Sequence, residues 1–164
     1  MIQLINKIQD SLVGRCYIAA IRFSDKYLFS LLVLFIRVWM ARIFWYSGLT
    51  KISSWQTTIY LFQYEYKVPI IPVEVAVLLS TATELTMPFF IVLGFMTRLA
   101  AVPLICMTAV IQFTYLDLVE HLYWAILLAT IVFYGPGRYS IDYLIYYKAS
   151  VIKKSLRQNS KFLI

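Results

Sequence analysis

Apolar positions in this chain come in long, nearly uninterrupted blocks separated by short polar stretches. That is the pattern of helices that meet lipid on most sides, and it differs from the single apolar stripe of a helix on a soluble core. The first block runs from Leu28 to Ser47, the second from Pro72 to Leu93 and the third from about Leu99 to Tyr115. The uninterrupted part of a fourth, Leu122 to Tyr134, falls short of the ~17–25 residues that cross a bilayer. Counting from Leu118 makes it long enough and puts Glu120 and His121 at headgroup level; a re-entrant segment is the alternative. Ahead of the blocks, Ile5, Ile8 and Leu12 recur at helical spacing with Lys7, Asp10 and Ser11 opposite, which predicts an amphipathic helix on the membrane surface. The expected fold is an all-α integral membrane protein, a four-helix transmembrane bundle with spans at about 28–47, 72–93, 99–115 and 118–134. These lie in a membrane domain 28–145, between an amphipathic N-terminal segment 1–27 and a basic tail 146–164.

Composition turns that pattern into a class. Of the 164 residues, 62% are apolar and 14% charged, against about 45–50% and about 25% in soluble domains. Charge then sets the orientation. With both termini cytoplasmic, the inner side carries Lys7, Arg15, Arg22, Lys26, Arg98, Arg138, Lys148, Lys153, Lys154, Arg157 and Lys161, eleven basic residues, and the outer side only Lys51 and Lys67. This is the bias of the positive-inside rule, and three spans would put the basic tail on the wrong side. The net charge of +7 is thereby accounted for by tails beside an anionic leaflet, without nucleic acid. Tyr and Trp at the block ends (Trp45, Trp55, Tyr60, Tyr66, Trp124, Tyr134) form an interfacial belt. Charges at Asp10, Arg15 and Arg22 interrupt any signal-peptide centre.

Familiar chemical motifs are missing from the chain. Cys16 and Cys106 have no CxxC partner and fall at different depths, which argues against thiol redox chemistry. No metal-ligand spacing or phosphate-binding glycine loop occurs, so any ligand is held by dispersed residues of the bundle.

The dispersed candidates begin with the stretch RVWMARIFW, where Arg37 and Arg42 sit inside the first block. Each unpaired arginine near mid-depth costs roughly 2.5–3.5 kcal/mol on insertion scales. At 100° per residue Arg37 shares a face with Ala41, Phe44, Gly48 and Lys51, while Arg42 lies about 140° round the helix. Glu84, twelve residues beyond Pro72, is the expected partner of Arg37 or Arg42, and Glu74 is better placed for Lys51 or Lys67. Two readings follow: an ion pair that fixes helix register, or a pair that leaves the second arginine for an anionic or carbonyl-bearing ligand. Thr108, Gln112 and Tyr115 form a polar stripe on the third helix, either interhelical glue or part of the same site. His121, the one histidine, either serves a ligand at the outer face or hydrogen-bonds among headgroups. Gly135-Pro136-Gly137 ends the fourth helix, and Arg138 and Asp142 are spaced for a local pair.

The stretches LFIRVWMARIFWYSGLTKI, LFQYEYKVPIIP, ATELTMPFFIVLGFMTRLAAVPL and EHLYWAILLATIVFYGPGRYSID together resemble the DoxX family of small four-helix bacterial membrane proteins, over roughly residues 28 to 145. The resemblance is carried by Arg37, Gly48 and Lys51 in the first helix, mid-helix Glu84, the Gly94–Arg98 turn, His121 opening the last helix and the Gly135–Arg138 exit. The variant looks closest to DoxX proteins encoded beside copper-responsive, peptide-modifying genes. It implies a bacterial inner-membrane protein with partners in a membrane complex, and a function in quinone-linked redox or stress response, as with the DoxD-like subunit of a thiosulfate:quinone oxidoreductase. Two functions follow. One is a redox subunit with quinone as the expected cofactor, in which Arg37 or Arg42 polarises a carbonyl and Glu84, Tyr115 or His121 handles protons. The other is a non-catalytic membrane component that docks a partner or passes a small solute, with a homo-oligomer compatible with either.

Overall fold

The first apolar block becomes one helix that overshoots its expected end by six residues, and this extension sets the register of everything packed against it. The structure, a computed structural model, describes residues 11–67, 71–114 and 119–160. Ile5, Lys7, Ile8 and Asp10 of the expected amphipathic helix, and Tyr115, lie outside them. All elements among the described residues are helical. In chain order they are α1 (Leu12–Phe23), α2 (Phe29–Ser53), α3 (Trp55–Leu61), α4 (Val73–Leu93), α5 (Thr97–Thr114), α6 (Val119–Tyr134) and α7 (Ile141–Ser160). Ser11 caps α1, its hydroxyl accepting from the Gly14 N–H at 3.1 Å. A widened π-type turn, Ser24–Leu28, carries α1 straight into α2. A second, Phe62–Tyr66, extends α3 and ends at Lys67 in the left-handed region.

α2 packs along α4, α5 along α6, and the α4–α5 and α2–α6 contacts close the bundle. Its core is Ile36, Met40, Ala41, Phe44, Ile91, Ala100, Ala101, Leu104, Leu128 and Ile131. The outer surface is no less apolar: Phe35, Leu78 and Phe133 are 62%, 59% and 78% exposed. A water-soluble domain does not tolerate such a surface over whole helices. By length and composition α2 (25 residues) and α4 (21 residues) can cross a membrane, whereas α5 and α6 are apolar but shorter. The face predicted for α2 is the buried one, since Arg37, Ala41, Phe44 and Gly48 all point inward.

Gly48 lies at a close approach of α2 and α4. A Cβ there would fall 2.8 Å from Leu85 Cδ2 and 3.2 Å from Glu84 Cβ. Gly48 is thus level with Glu84, and Arg37, some three turns back along α2, is level with the far end of α4. Glu84 therefore cannot reach Arg37, since the two levels differ by roughly ten residues, about 15 Å of helix, and Arg42 is exposed on another side of α2.

α4 ends in a Schellman turn. The Phe95 N–H donates to Phe90 O (3.0 Å) and the Gly94 N–H to Ile91 O (3.2 Å), with the Phe90 and Phe95 rings stacked at 6.1 Å. Gly94 has φ +70, and a Cβ on it would fall 2.5 Å from both Arg37 Nη2 and Ser140 Cβ. Gly137 also has a positive φ (+77), but its nearest neighbours would be 3.4 Å away. Alanine at Gly137 is expected to cost only the ~1–2 kcal/mol of a left-handed residue. Gly94→Ala must displace Arg37 and Ser140 as well and should lower the thermal midpoint in detergent clearly further than Gly137→Ala. Equal midpoints for the two variants would contradict this packing.

Asp142 ties α7 to the same corner. Its carboxylate accepts from the Met96 N–H (2.8 Å), the Thr97 N–H (3.0 Å) and the Thr97 hydroxyl (2.8 Å), and so caps α5 from a distant element. The expected Arg138–Asp142 pair does not form. α5 begins with N–H groups that have no helical partner, and a carboxylate on them also meets the positive end of the helix dipole. Arg138 turns instead to Tyr143, donating to its hydroxyl at 3.0 Å.

Candidate functional site

Buried polar groups collect at two levels of the bundle. At the Gly94 level, Arg37 is fully buried. Its Nε donates to Ile91 O (2.7 Å), Nη1 to Pro136 O (3.0 Å) and Tyr139 O (2.7 Å), and Nη2 to Val92 O. Of the five guanidinium N–H groups, four are held by backbone carbonyls. Two of those carbonyls belong to the last turn of α4, where helical donors run out and Ile91 O otherwise meets the capping Gly94 N–H; the other two belong to the segment leading into α7. Arg37 thus joins three parts of the chain.

The second level is built around Glu84, whose side chain is 2% exposed. It pairs with Lys51 (12% exposed), and this is the correction to the expected pairing with Arg37 or Arg42. Ser47 completes a ring of three: its hydroxyl donates to Glu84 Oε1 at 3.2 Å and accepts from Lys51 Nζ at 3.3 Å. Lys51 lies one turn beyond Gly48, and the missing Cβ of that glycine lets α4 come close enough for the lysine to bend back to Glu84.

A cavity of about 330 Å³ opens beside this ring, between α2, α3, α5 and α6. Lys51, Glu84, Thr108, His121 and Trp124 line it, and Thr58, Phe62 and Tyr66 roof it. His121 is 8% exposed and meets Trp124 edge-on at 5.0 Å, and its Nδ1 is buried with no hydrogen-bond partner among the described residues. A buried imidazole nitrogen without a partner is costly unless a ligand or water supplies one. Burial pushes the Tyr66 phenol above its ordinary pKa, with the Glu65 and Glu84 charges adding to the shift, so Tyr66 keeps its proton. A smaller, apolar pocket of about 190 Å³ shares Lys51, Phe62, Tyr66 and Ile111 and runs between α4 and α5 to Leu79 and Cys106 on the outer surface.

Of the residues singled out from the sequence, Lys51, Glu84 and His121 meet at this cavity, and Thr108 with them. Arg37 does not reach it. Arg42 is exposed on the opposite side of α2, its guanidinium 5.7 Å from the centre of the Tyr46 ring. Gln112 is half-buried and does not line the cavity. Arg98, Gly135, Gly137 and Arg138 line a separate cleft at the Arg37 end. Ser47 and the whole α3 roof were missed by reasoning from sequence. The roof had a signal, because Trp55, Ile59, Phe62 and Tyr66 recur at spacings of four, three and four, the period of a buried helix face.

The arrangement offers a protonated amine held by a carboxylate, an uncommitted imidazole nitrogen, and aromatic walls beneath a lid. These are the elements for binding a ligand with a polar, carbonyl-bearing head and an apolar remainder. Comparison with known proteins gives one match: the sequence model of the DoxX family covers residues 32–117. No curated protein and no solved structure matches the chain.

Proposed function

The chain belongs to the DoxX family of membrane proteins, and from that premise we propose that it is a quinone-binding subunit of a membrane redox or stress-response system. The observation that carries this reading is the cavity that Lys51 shares with His121, whose buried Nδ1 has no partner among the described residues. Those two groups suit the carbonyl oxygens of a quinone ring, Phe62, Tyr66 and Trp124 suit its faces, and the adjoining apolar pocket suits a lipid tail on its way to the bilayer.

Bound there, a quinone would supply reversible two-electron, two-proton chemistry, with the electrons coming from a partner protein. The chain's own residues orient and protonate. Lys51 holds one carbonyl oxygen through its ammonium. Glu84 keeps that lysine in place, and through Ser47 forms a short path along which a proton can be held. His121 binds the second polar atom, and the α3 roof excludes water.

The same reading includes four spans (α2, α4, α5 and α6), both termini on the cytoplasmic side of a bacterial inner membrane, and α1 and α7 as surface helices. Its support is the packing of α5 on α4 and of α6 on α5 and α2, and the excess of basic residues at one end. It retains the division into 1–27, 28–145 and 146–164, although α7 runs unbroken across the second boundary. A second reading, a non-catalytic component that docks a partner or passes a small solute, is favoured by the Lys51–Ser47–Glu84 ring, which is closed on itself and needs no ligand.

Quinone content decides between them. Protein purified gently from membranes is expected to retain a quinone, and His121→Phe, which keeps the ring packed on Trp124, should bind it about tenfold more weakly through the loss of one hydrogen bond. Mass spectrometry of extracted small molecules reads this directly. No quinone in the parent, or equal content in a folded His121→Phe protein, would leave the second reading standing.

A further inference from the structure

At the opposite end of the bundle from the quinone cavity, a cleft of about 950 Å³ is lined by three guanidinium groups from three separate parts of the chain: Arg22 of α1, Arg98 of α5 and Arg138 after α6. Arg138 is engaged with Tyr143, through its hydroxyl and over its ring at 5.4 Å. Arg22 and Arg98 make no hydrogen bond or ion pair among the described residues. Two carboxylates also line the cleft. Asp142 is committed to the N–H groups of Met96 and Thr97 and to the Thr97 hydroxyl, and Asp25 is exposed and forms no ion pair with any of the arginines. The cleft is therefore positive, with guanidinium donors to spare.

Arg98 is also seated by the backbone. The residue beneath it is Gly135, at φ +87, and a Cβ there would come within 3.0 Å of Arg98 Nη2. A guanidinium packed against a glycine, with its N–H groups unused among the described residues, is placed to receive something from the cleft side. The remaining walls are amphipathic: Phe29, Leu99, Tyr134 and Tyr146. Tyr134 and Leu99 continue onto the exposed apolar surface, at 73% and 64% exposure, so the cleft opens toward the surface that meets lipid.

We propose that this cleft binds the phosphate of an anionic lipid headgroup, Arg22 and Arg98 gripping the phosphate while the glycerol and first acyl carbons lie on Tyr134, Leu99 and Phe29. The shared chemistry of the ligand is a phosphate anion, which guanidinium forks recognise in paired, charge-assisted hydrogen bonds. Apolar walls continuous with the lipid-facing surface, and a volume far larger than one phosphate, select the lipid over the free ion. Basic pockets between helices at the cytoplasmic boundary are a recurrent form of headgroup recognition. Because α1 contributes Arg22, headgroup binding would hold α1 against the bundle, an element that otherwise buries only Gly14. This inference uses no residue of the Lys51–His121 cavity and stands or falls separately from quinone binding.

The test is native mass spectrometry of the full-length protein in detergent, titrated with phosphatidylglycerol, with phosphatidylcholine and with inorganic phosphate. Tight retention of phosphatidylglycerol over phosphatidylcholine is expected. Its apparent affinity should fall roughly thirtyfold in an Arg22→Gln/Arg98→Gln variant, and stay unchanged when Lys153 and Lys154 are both changed to glutamine. Arg22→Gln alone, on an exposed helix, keeps the comparison valid should the double variant fold poorly, and is expected to show part of the loss. Equal retention of both lipids would overturn the proposal, as would a loss confined to the tail variant. Competition by inorganic phosphate as effective as the lipid would overturn the choice of a lipid and make the cleft a site for a free anion.

Discussion

Arg37→Met is expected to leave little folded protein. The substitution is close in volume and more apolar, so for an arginine whose role was to pair with a carboxylate it would be among the milder changes. Here it removes a donor from each of four backbone carbonyls, those of Ile91, Val92, Pro136 and Tyr139, and of these Ile91 O keeps the Gly94 N–H. None can be mutated away, and each carbonyl left dry costs about 1–3 kcal/mol. With Ile91 O satisfied by Gly94 and one more carbonyl rescued by water, the loss is about 2–6 kcal/mol, against total stabilities of ~5–15 kcal/mol. Lysine should not rescue the defect. Its single ammonium carries three donors on one atom and cannot span carbonyls that lie on both sides of a planar fork. Thermal midpoints and the yield of monodisperse protein in detergent measure this. A lysine variant within a few degrees of the parent would mean that Arg37 is held by its charge and not by its geometry.

That expectation was out of reach of the sequence, and the reason is physical. An arginine in an apolar block announces that it needs a partner, but backbone carbonyls have no letter of their own. Only the side-chain candidates were visible, and Glu84 was the one at mid-helix. Choosing it required the register between α2 and α4, which depends on the connection between them. The segment from Ser54 to Pro72 reads as an outer loop with belt aromatics, yet it contains α3 and a π-type turn, and α2 runs on to Ser53 before it starts. That extension slides Arg37 to the end of α4 and brings Lys51 within reach of Glu84. Local features survived such errors. The apolar blocks mark α2, α4, α5 and α6 to within a few residues at most of their ends, Gly135 and Gly137 do sit at positive φ, and the inward face of α2 follows from its 100° period. Pairings between elements did not, as with Asp142, whose partner is the start of α5 and not the arginine one turn before it.

The two levels also differ in what they allow a designer to change. At the Arg37 level the partners are carbonyls, and no second substitution can compensate the first. At the Glu84 level both partners are side chains, and they can be removed together. Glu84→Leu alone is expected to cost about 3–5 kcal/mol by stranding a largely buried ammonium, and Lys51→Met alone a similar amount by stranding the carboxylate. The double variant should recover most of that loss, since apolar replacements of a buried pair are often neutral or better. Ser47 limits the recovery, because its hydroxyl then loses both partners and must turn to the helix carbonyl one turn back. The coupling energy from the cycle of four thermal or denaturant midpoints should therefore be large, above about 2 kcal/mol and of stabilising sign. Additive losses would show that the pair is not the unit that Gly48 and the α2–α4 register make of it. Full recovery of stability with loss of bound quinone would separate the proposed ligand-binding role of this ring from its structural one, because an apolar pair can hold the helices together but offers no charge to a carbonyl oxygen.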